Sequence, residues 1–304
     1  MDSLDPVTRQ GLSVTNLFGI ELAISAVLFA LVLGVLVISL VRFRAQPGEA
    51  TEPAQVHGNR TIELVWTLTP ALVLAGIFIA VVQTMRTVDA ADPGSQRLRV
   101  VGHQWWWEFE YPDLGVITAN ELVVPVGQPL SLDLQSIDVI HGFFVPHFGW
   151  MRDAVPGKTN HLSVLVDRAG QFDGACTQYC GAEHAWMRMR IIAEPADAFA
   201  AWAQQQRAPV LASSRPGEQV FRDHTCINCH AIRGLTPDVR VGPDLTHLAS
   251  RQTLGGGVLS NTPDNLQRWI RDPGTVKPGV LMPPFQSLTP DDLQALVDYL
   301  ESLI

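Results

Sequence analysis

Two uncharged stretches decide what this chain can fold into. From Leu22 to Val41 it runs twenty residues without a charge, rich in Leu, Val, Ile and Ala, and a second uncharged run of similar length extends from Leu64 to Met85. A helix of that length spans about 30 Å, the hydrocarbon thickness of a bilayer. A signal peptide is the alternative for the first run, but the segment before it, Met1 to Asn16, is acidic rather than basic and the run is too long. The connecting segment holds Arg42, Arg44 and Arg60 with Glu49 and Glu52 nearby, whereas the N-terminal tail sets Asp2 and Asp5 against Arg9. The excess of positive charge puts the connection on the cytoplasmic side and both ends of the hairpin outside. A tail and transmembrane hairpin are expected over residues 1–91, with helices at about 17–41 and 63–87.

Beyond Asp92-Pro93-Gly94 the pattern changes to short β-rich segments, Leu98–Val101, Glu121–Val126, Leu130–Leu134, His161–Val166 and Met187–Ile192, separated by turns bearing Pro and Gly. Many short strands with such punctuation indicate a β-sandwich, here over residues 92–195. A linker is expected over residues 196–213: Glu194–Gln206 reads as a short helix, and Ala208-Pro209 and Ala212–Gly217 as flexible tether. The remainder, 214–304, reads as helical, with helices at Gly217–Thr225, Pro263–Arg271 and Pro290–Leu303. Thr289 is placed to cap the last, with Asp291 and Asp292 in its first turn. The formal charge of −9 argues against a nucleic-acid partner, whose phosphates need a basic face, and suits one with a basic docking surface.

The chemistry concentrates in Cys176-Thr177-Gln178-Tyr179-Cys180-Gly181-Ala182-Glu183-His184-Ala185-Trp186-Met187, with His141 upstream. Two thiols, imidazole and a thioether form a donor set for soft or borderline metals. Two cysteines and two histidines would satisfy zinc; Met187 tips the balance toward copper. A Cys176–Cys180 disulfide remains a competing reading, as do Met187 as core filler and His184 as an ordinary histidine. The four cysteines fall in two close pairs, each near a histidine, which is metal and haem usage rather than a disulfide framework.

The pattern C-x-x-x-C-G-x-x-H-x-x-M, with His141 in Asp138-Val139-Ile140-His141-Gly142-Phe143, resembles the copper A site of cytochrome c oxidase subunit II. The resemblance implies a cupredoxin-like sandwich and a binuclear copper centre held by Cys176, Cys180, His141, His184, Met187 and the backbone carbonyl of Gln178. The family usually has Glu at that last position, where it reaches a magnesium or manganese ion at the interface with subunit I. The amide of Gln178 offers no such carboxylate.

Three consecutive tryptophans stand in Gly102-His103-Gln104-Trp105-Trp106-Trp107-Glu108-Phe109. Aromatic rings ordinarily fill cores or sit at membrane interfaces, and strand alternation buries at least one of the three. By resemblance, Trp105 matches the ring through which electrons enter from cytochrome c. Glu63, at the start of the second apolar run, is an ordinary helix-start carboxylate by its dipole position. In the resemblance it lies at the mouth of a proton pathway into subunit I.

Cys226-Ile227-Asn228-Cys229-His230 is a C-x-x-C-H motif, which attaches haem c through two thioethers and one axial histidine. A thioredoxin-like pair or half a zinc site are the alternatives, but no β-α-β pattern surrounds it and no second C-x-x-C follows. Met282 is the one methionine after the motif and the expected second axial ligand, with His247 competing. The segment resembles a class I cytochrome c. Hairpin, copper sandwich and cytochrome in this order resemble subunit II of a caa-type oxidase. The implied function is electron input from a covalent haem c through copper A to a haem-copper site in subunit I, where oxygen is reduced with proton translocation. The implied partners are subunit I, subunit III, an upstream cytochrome c or quinol–cytochrome c reductase, and lipid. The implied location is a bacterial inner membrane with the metal domains on the periplasmic side. The copper-bearing subunit of a membrane nitric oxide reductase and a membrane-anchored electron carrier are the rival readings.

Overall fold

The computed structural model describes residues 3–44, 48, 55, 57–90, 94–210 and 215–304. Glu49, Glu52, the Asp92-Pro93 turn and the expected domain boundary near residue 213 lie outside them. Two compact units emerge, one from Leu12 to Asp89 and the other combining Met1–Gly11 with Ala90–Ile304.

The first unit consists of α1 (Arg9–Arg42) and α2 (Arg60–Val88). Both contain an 18-residue window apolar enough to cross a membrane, with mean hydropathy 3.0 and 2.3 and no burial within the chain itself. Apolar residues exposed around a whole helix need lipid or partner helices to cover them. Asn59 caps α2, its Oδ1 accepting from Thr61 N at 3.0 Å and Ile62 N at 3.3 Å, and Glu63 sits in the first turn. Both helices begin earlier than their uncharged runs, because polar residues such as Arg9 and Arg60 continue a helix as readily as apolar ones.

The N-terminal tail does not stay with the hairpin, contrary to the expected 1–91 grouping. Val7 is buried in the sandwich core; its N–H donates to His147 O and its carbonyl accepts from Asp167 N, each at 2.8 Å. A single buried valine and two backbone hydrogen bonds give this segment a strand-like anchorage that its composition did not advertise.

The second unit opens with two five-stranded sheets. One runs β3 (Val116–Ala119), β2 (Trp106–Tyr111), β1 (Gln96–His103), β5 (Pro129–Ser136), β8 (Asn160–Leu165); the other runs β4 (Glu121–Pro125), β10 (Arg188–Glu194), β9 (Gly170–Cys176), β6 (His141–Phe144), β7 (Met151–Ala154). Their inner faces share one apolar core that includes Trp107, Phe109, Tyr111, Phe143 and Ile191. The expected sandwich is therefore present, with five strands beyond those visible in the sequence. A helix, α3 (Ala196–Arg207), follows. It buries Phe199 and Ala203, and Trp202 packs 5.1 Å from the Tyr111 ring.

The last ninety residues form α4 (Arg215–Asp223), α5 (Pro263–Arg271) and α6 (Pro290–Glu301) around a second core. Residues 215–216, expected as tether ahead of a helix at Gly217–Thr225, instead begin α4. The reason is Gly217: a Cβ there would collide with Ala295 O and Tyr299 Cβ, so its bare backbone lets α4 lie directly on α6. Thr289 caps α6, with its Oγ1 accepting from Asp292 N at 3.1 Å.

Candidate metal centre

Three strands bring the copper-type residues together. β9 ends at Cys176, β10 begins at Arg188, and Cys176 N donates to Met187 O at 3.0 Å to close the base of the intervening loop. β6 pairs with β9 in a register that sets Phe143 opposite Cys176, which carries His141, two residues earlier, to the same end. The ligand atoms of His141, Cys176 and Cys180 all lie within 4.8 Å of one another, and all three residues are buried.

Cys176 Sγ is 3.8 Å from Cys180 Sγ, too far for a disulfide at about 2.05 Å, and both thiols are free. Cys176 Sγ lies 4.0 Å from His141 Nδ1 and 3.2 Å from Gln178 O. Cys180 Sγ lies 3.6 Å from His184 Nδ1 and 3.9 Å from Met187 Sδ. Every sequence-selected residue of this set thus surrounds the two sulfurs. Two thiolates flanked by one imidazole each, a thioether on one side and a carbonyl on the other, fit a pair of soft metal ions better than a single tetrahedral one.

The electrostatics prepare the site for metal. The hydrogen bond to Cys180 pulls the Cys176 thiol down to about 4, and sharing that proton while being buried pushes Cys180 up. Burial lowers the His141 imidazole, but hydrogen bonds to Asp138 and Cys176 carry it net upward. Asp138 Oδ1 lies 2.8 Å from His141 Nε2, which fixes the ring and aims Nδ1 at Cys176. A second carboxylate behind a metal-ligating histidine usually does this. The D-x-x-H spacing could have flagged Asp138; nothing local could have flagged Gly102, where a Cβ would fall 2.7 Å from His141 Cδ2. Gln178 Nε2 donates to Asp153 Oδ1 and Oδ2 at 3.2 and 3.3 Å. The neutral amide therefore donates to a carboxylate that a Glu at this position would repel.

Cys226, Asn228, Cys229 and His230 line a cavity of about 380 Å³ together with Met282, Phe285 and Trp269. His230 Nδ1 lies 2.7 Å from Pro243 O, leaving Nε2 free as a ligand, and burial lowers its pKa in favour of the neutral, ligating form. Gly242 is required here because a Cβ would sit 2.6 Å from His230 Cε1. His247 does not line the cavity; its Nε2 is 3.4 Å from Arg233 Nη2. An apolar cavity ringed by two thiols, an imidazole and a thioether fits a covalent haem.

The sandwich supplies the remaining wall of this cavity through Gln104, Trp105 and Trp106. Trp105 Nε1 donates to Cys180 O at 2.9 Å, and Gln104 Nε2 to the same carbonyl at 2.7 Å. Trp105 thus lines the haem-type cavity and hydrogen-bonds the Cys loop. Trp106 stacks on His103, ring centroids 3.9 Å apart, and Trp107 meets His141 edge-on at 5.8 Å.

Known proteins share all three parts. The family description "Cytochrome C oxidase subunit II, transmembrane domain" matches residues 5–84, "Cytochrome C oxidase subunit II, periplasmic domain" matches 114–194, and "Cytochrome c" matches 214–303. A cytochrome c oxidase subunit 2 of Alkalihalophilus pseudofirmus is 33% identical over 313 residues, covering 100% of this chain and 91% of its own length. Proteins of the same name from Bacillus sp. strain PS3 and Bacillus subtilis are 33% and 32% identical, covering 86% and 87% of this chain and 80% and 81% of themselves. Because the first of these alignments runs through hairpin, sandwich and haem-type unit alike, the chain belongs to the cytochrome c oxidase subunit II family, with a cytochrome c domain at its C-terminus.

Proposed function

We propose that this chain is the electron-input subunit of an aerobic respiratory terminal oxidase in a bacterial inner membrane. Its sandwich and cytochrome domain would face the periplasm, and oxygen would be reduced in subunit I with proton translocation. Haem c on Cys226, Cys229, His230 and Met282, and two coppers on His141, Cys176, Gln178 O, Cys180, His184 and Met187, each supply reversible one-electron chemistry when bound. The protein's own part is to bind and orient. Asp138 holds the His141 ring, Pro243 O holds that of His230, and burial of Cys176 and Cys180 keeps water from the sulfurs. The observation that carries the reading is Trp105, which is among the residues lining the haem-type cavity and whose indole N–H donates to Cys180 O. A path from a haem donor to the copper loop needs such a bridge. Exposed Ile137, Ile140, Met151 and Tyr179 stand on or beside segments that carry or contact the ligand residues, and suit docking on a partner subunit. Subunit III and an upstream cytochrome c or quinol–cytochrome c reductase complete the proposed set of partners.

The test is purification of the chain with its partners, followed by metal analysis, copper EPR and gas consumption. The expected result is two coppers and one covalent haem per chain, one unpaired electron split by two coppers, and uptake of oxygen. One copper or zinc per chain would overturn the ligand reading, and uptake of nitric oxide in place of oxygen would overturn the oxidase reading.

Glu63 is proposed as a proton-pathway residue, on the strength of its place in the first turn of α2. Glu63→Gln is expected to slow oxygen turnover of the assembled complex while leaving the copper signal intact. Turnover equal to wild type would remove the role.

A further inference from the structure

Between the two ligand-bearing parts lie several buried charges that the electron path itself does not require. Lys277, five residues before Met282, is 3% exposed, and Glu183, between Cys180 and His184, is 0% exposed. Lys277 Nζ donates to Trp105 O at 2.8 Å and sits 3.7 Å from Glu183 Oε2. Neither oxygen of Glu183 has a hydrogen-bond partner among the described residues, so Lys277 is the countercharge this carboxylate has. The loops themselves touch: a Cβ on Gly279 would lie 3.4 Å from both Ala182 Cβ and Glu183 Oε1. Further out, the Glu121 carboxylate accepts from Gln252 N at 3.0 and 3.1 Å and from Thr253 Oγ1 at 2.6 Å. Arg240 pairs with Glu108 at 3.1 Å and with Glu110.

A cytochrome that merely swung on a linker would leave Glu183 and Lys277 to water in its undocked state, where neither needs the other. Burying two opposite charges adds little net affinity, because each must be stripped of water. What it does enforce is register, since any displaced arrangement leaves a charge buried without its partner. Here the register joins the loop carrying Met282 to the loop carrying Cys180 and His184, through the backbone of the tryptophan that bridges them.

We propose that Lys277 is a positioning residue that pins the cytochrome domain in one fixed place on the copper loop, by donating to Trp105 O and pairing with Glu183. The haem-bearing domain is then a docked part of the sandwich rather than a tethered donor that must find it. The inference takes the two ligand sets as proposed above.

The test uses the full chain in its purified complex, as wild type, Lys277→Met and the double variant Lys277→Met with Glu183→Gln. The double variant removes the stranded carboxylate and so guards against simple misfolding. Haem absorption and copper EPR establish loading. The readouts are the rate of haem-to-copper electron transfer after flash reduction, at low and high salt, and hydrogen exchange of the amides of residues 103–108 and 250–257. In the wild type the rate should be insensitive to salt. In both variants it should fall roughly ten- to a hundredfold, the cost of a small misplacement of reacting partners. It should also become salt-dependent, as for exposed charges that must re-associate, and the interface amides should exchange faster. Wild-type rate and protection in the double variant would overturn the pin. Absence of the two-copper signal in the wild type would overturn the functional reading instead, and hydrogen exchange alone would still decide whether Lys277 holds the interface.

Discussion

Replacing Cys180 with serine is expected to abolish the two-copper EPR signal and to leave at most one copper per chain. Cys180 Sγ faces three of the other ligand residues, Cys176 at 3.8 Å, His184 at 3.6 Å and Met187 at 3.9 Å. A serine hydroxyl is a harder donor that does not ionise at neutral pH, so it cannot bridge two soft ions. The sandwich itself should survive. The substitution is nearly isosteric, and burying a hydroxyl costs about 1–3 kcal/mol, whereas the core beneath holds Trp107, Phe109, Phe143 and Ile191. Circular dichroism and melting should therefore change little while copper stoichiometry falls. Two coppers per chain in the variant would show that Cys180 does not bridge.

The double substitution of Cys226 and Cys229 by alanine should have the larger effect on folding. The covalent haem should disappear from a denaturing gel, and with it the filling of the cavity that the helical segment and the sandwich line together. At ~24 cal/mol per Å³ of void, a cavity of about 380 Å³ represents on the order of 9 kcal/mol, comparable to the whole stability of a domain at about 5–15 kcal/mol. Collapse of α4, α5 and α6 is the expected outcome, read as rapid hydrogen exchange over residues 215–223, 263–271 and 290–301, with the copper signal retained. Helices protected as in the wild type would mean that the cavity closes without haem.

The local chemistry of both sites was legible along the chain. Ligand residues within twelve positions, or within five in C-x-x-C-H, need no long-range contact to be recognised, and the two apolar helices announce themselves by length. Strand legibility followed exposure only in part, since β4 was read although buried at every position and β9 was missed although one face meets water. β5 alternates buried and half-buried positions along its whole length and was readable, whereas β2, Trp106–Tyr111, is buried at every position but one and was not. One of its faces enters the sandwich core through Trp107, Phe109 and Tyr111. The other is covered by the cytochrome domain, through Trp106 at the cavity and Glu108 beside Arg240. Covering both faces erases the period of two on which strand reading depends.

Glu108 shows the electrostatic consequence. Burial, a hydrogen bond donated by the protonated carboxyl to Glu110 and the neighbouring Glu110 charge push it up to about 7 despite Arg240, a shift no sequence window contains. The N-terminal tail is a parallel case: Val7 stands in a short stretch with no strand pattern, and only the distant segments it meets make it part of a core.

By itself, then, the sequence marked the candidate residues of the two cysteine motifs and the segments apolar enough to cross a membrane, because both depend on residue type and short spacing, whereas His141 and Met282 join those motifs only through the fold. The tertiary structure alone decided that Trp105 bridges the two sites, that Asp138 rather than another carboxylate orients His141, and that Lys277 meets Glu183. A buried charge can be tolerated only where a distant part of the chain supplies its opposite, and that condition is met by folding, not by any local pattern.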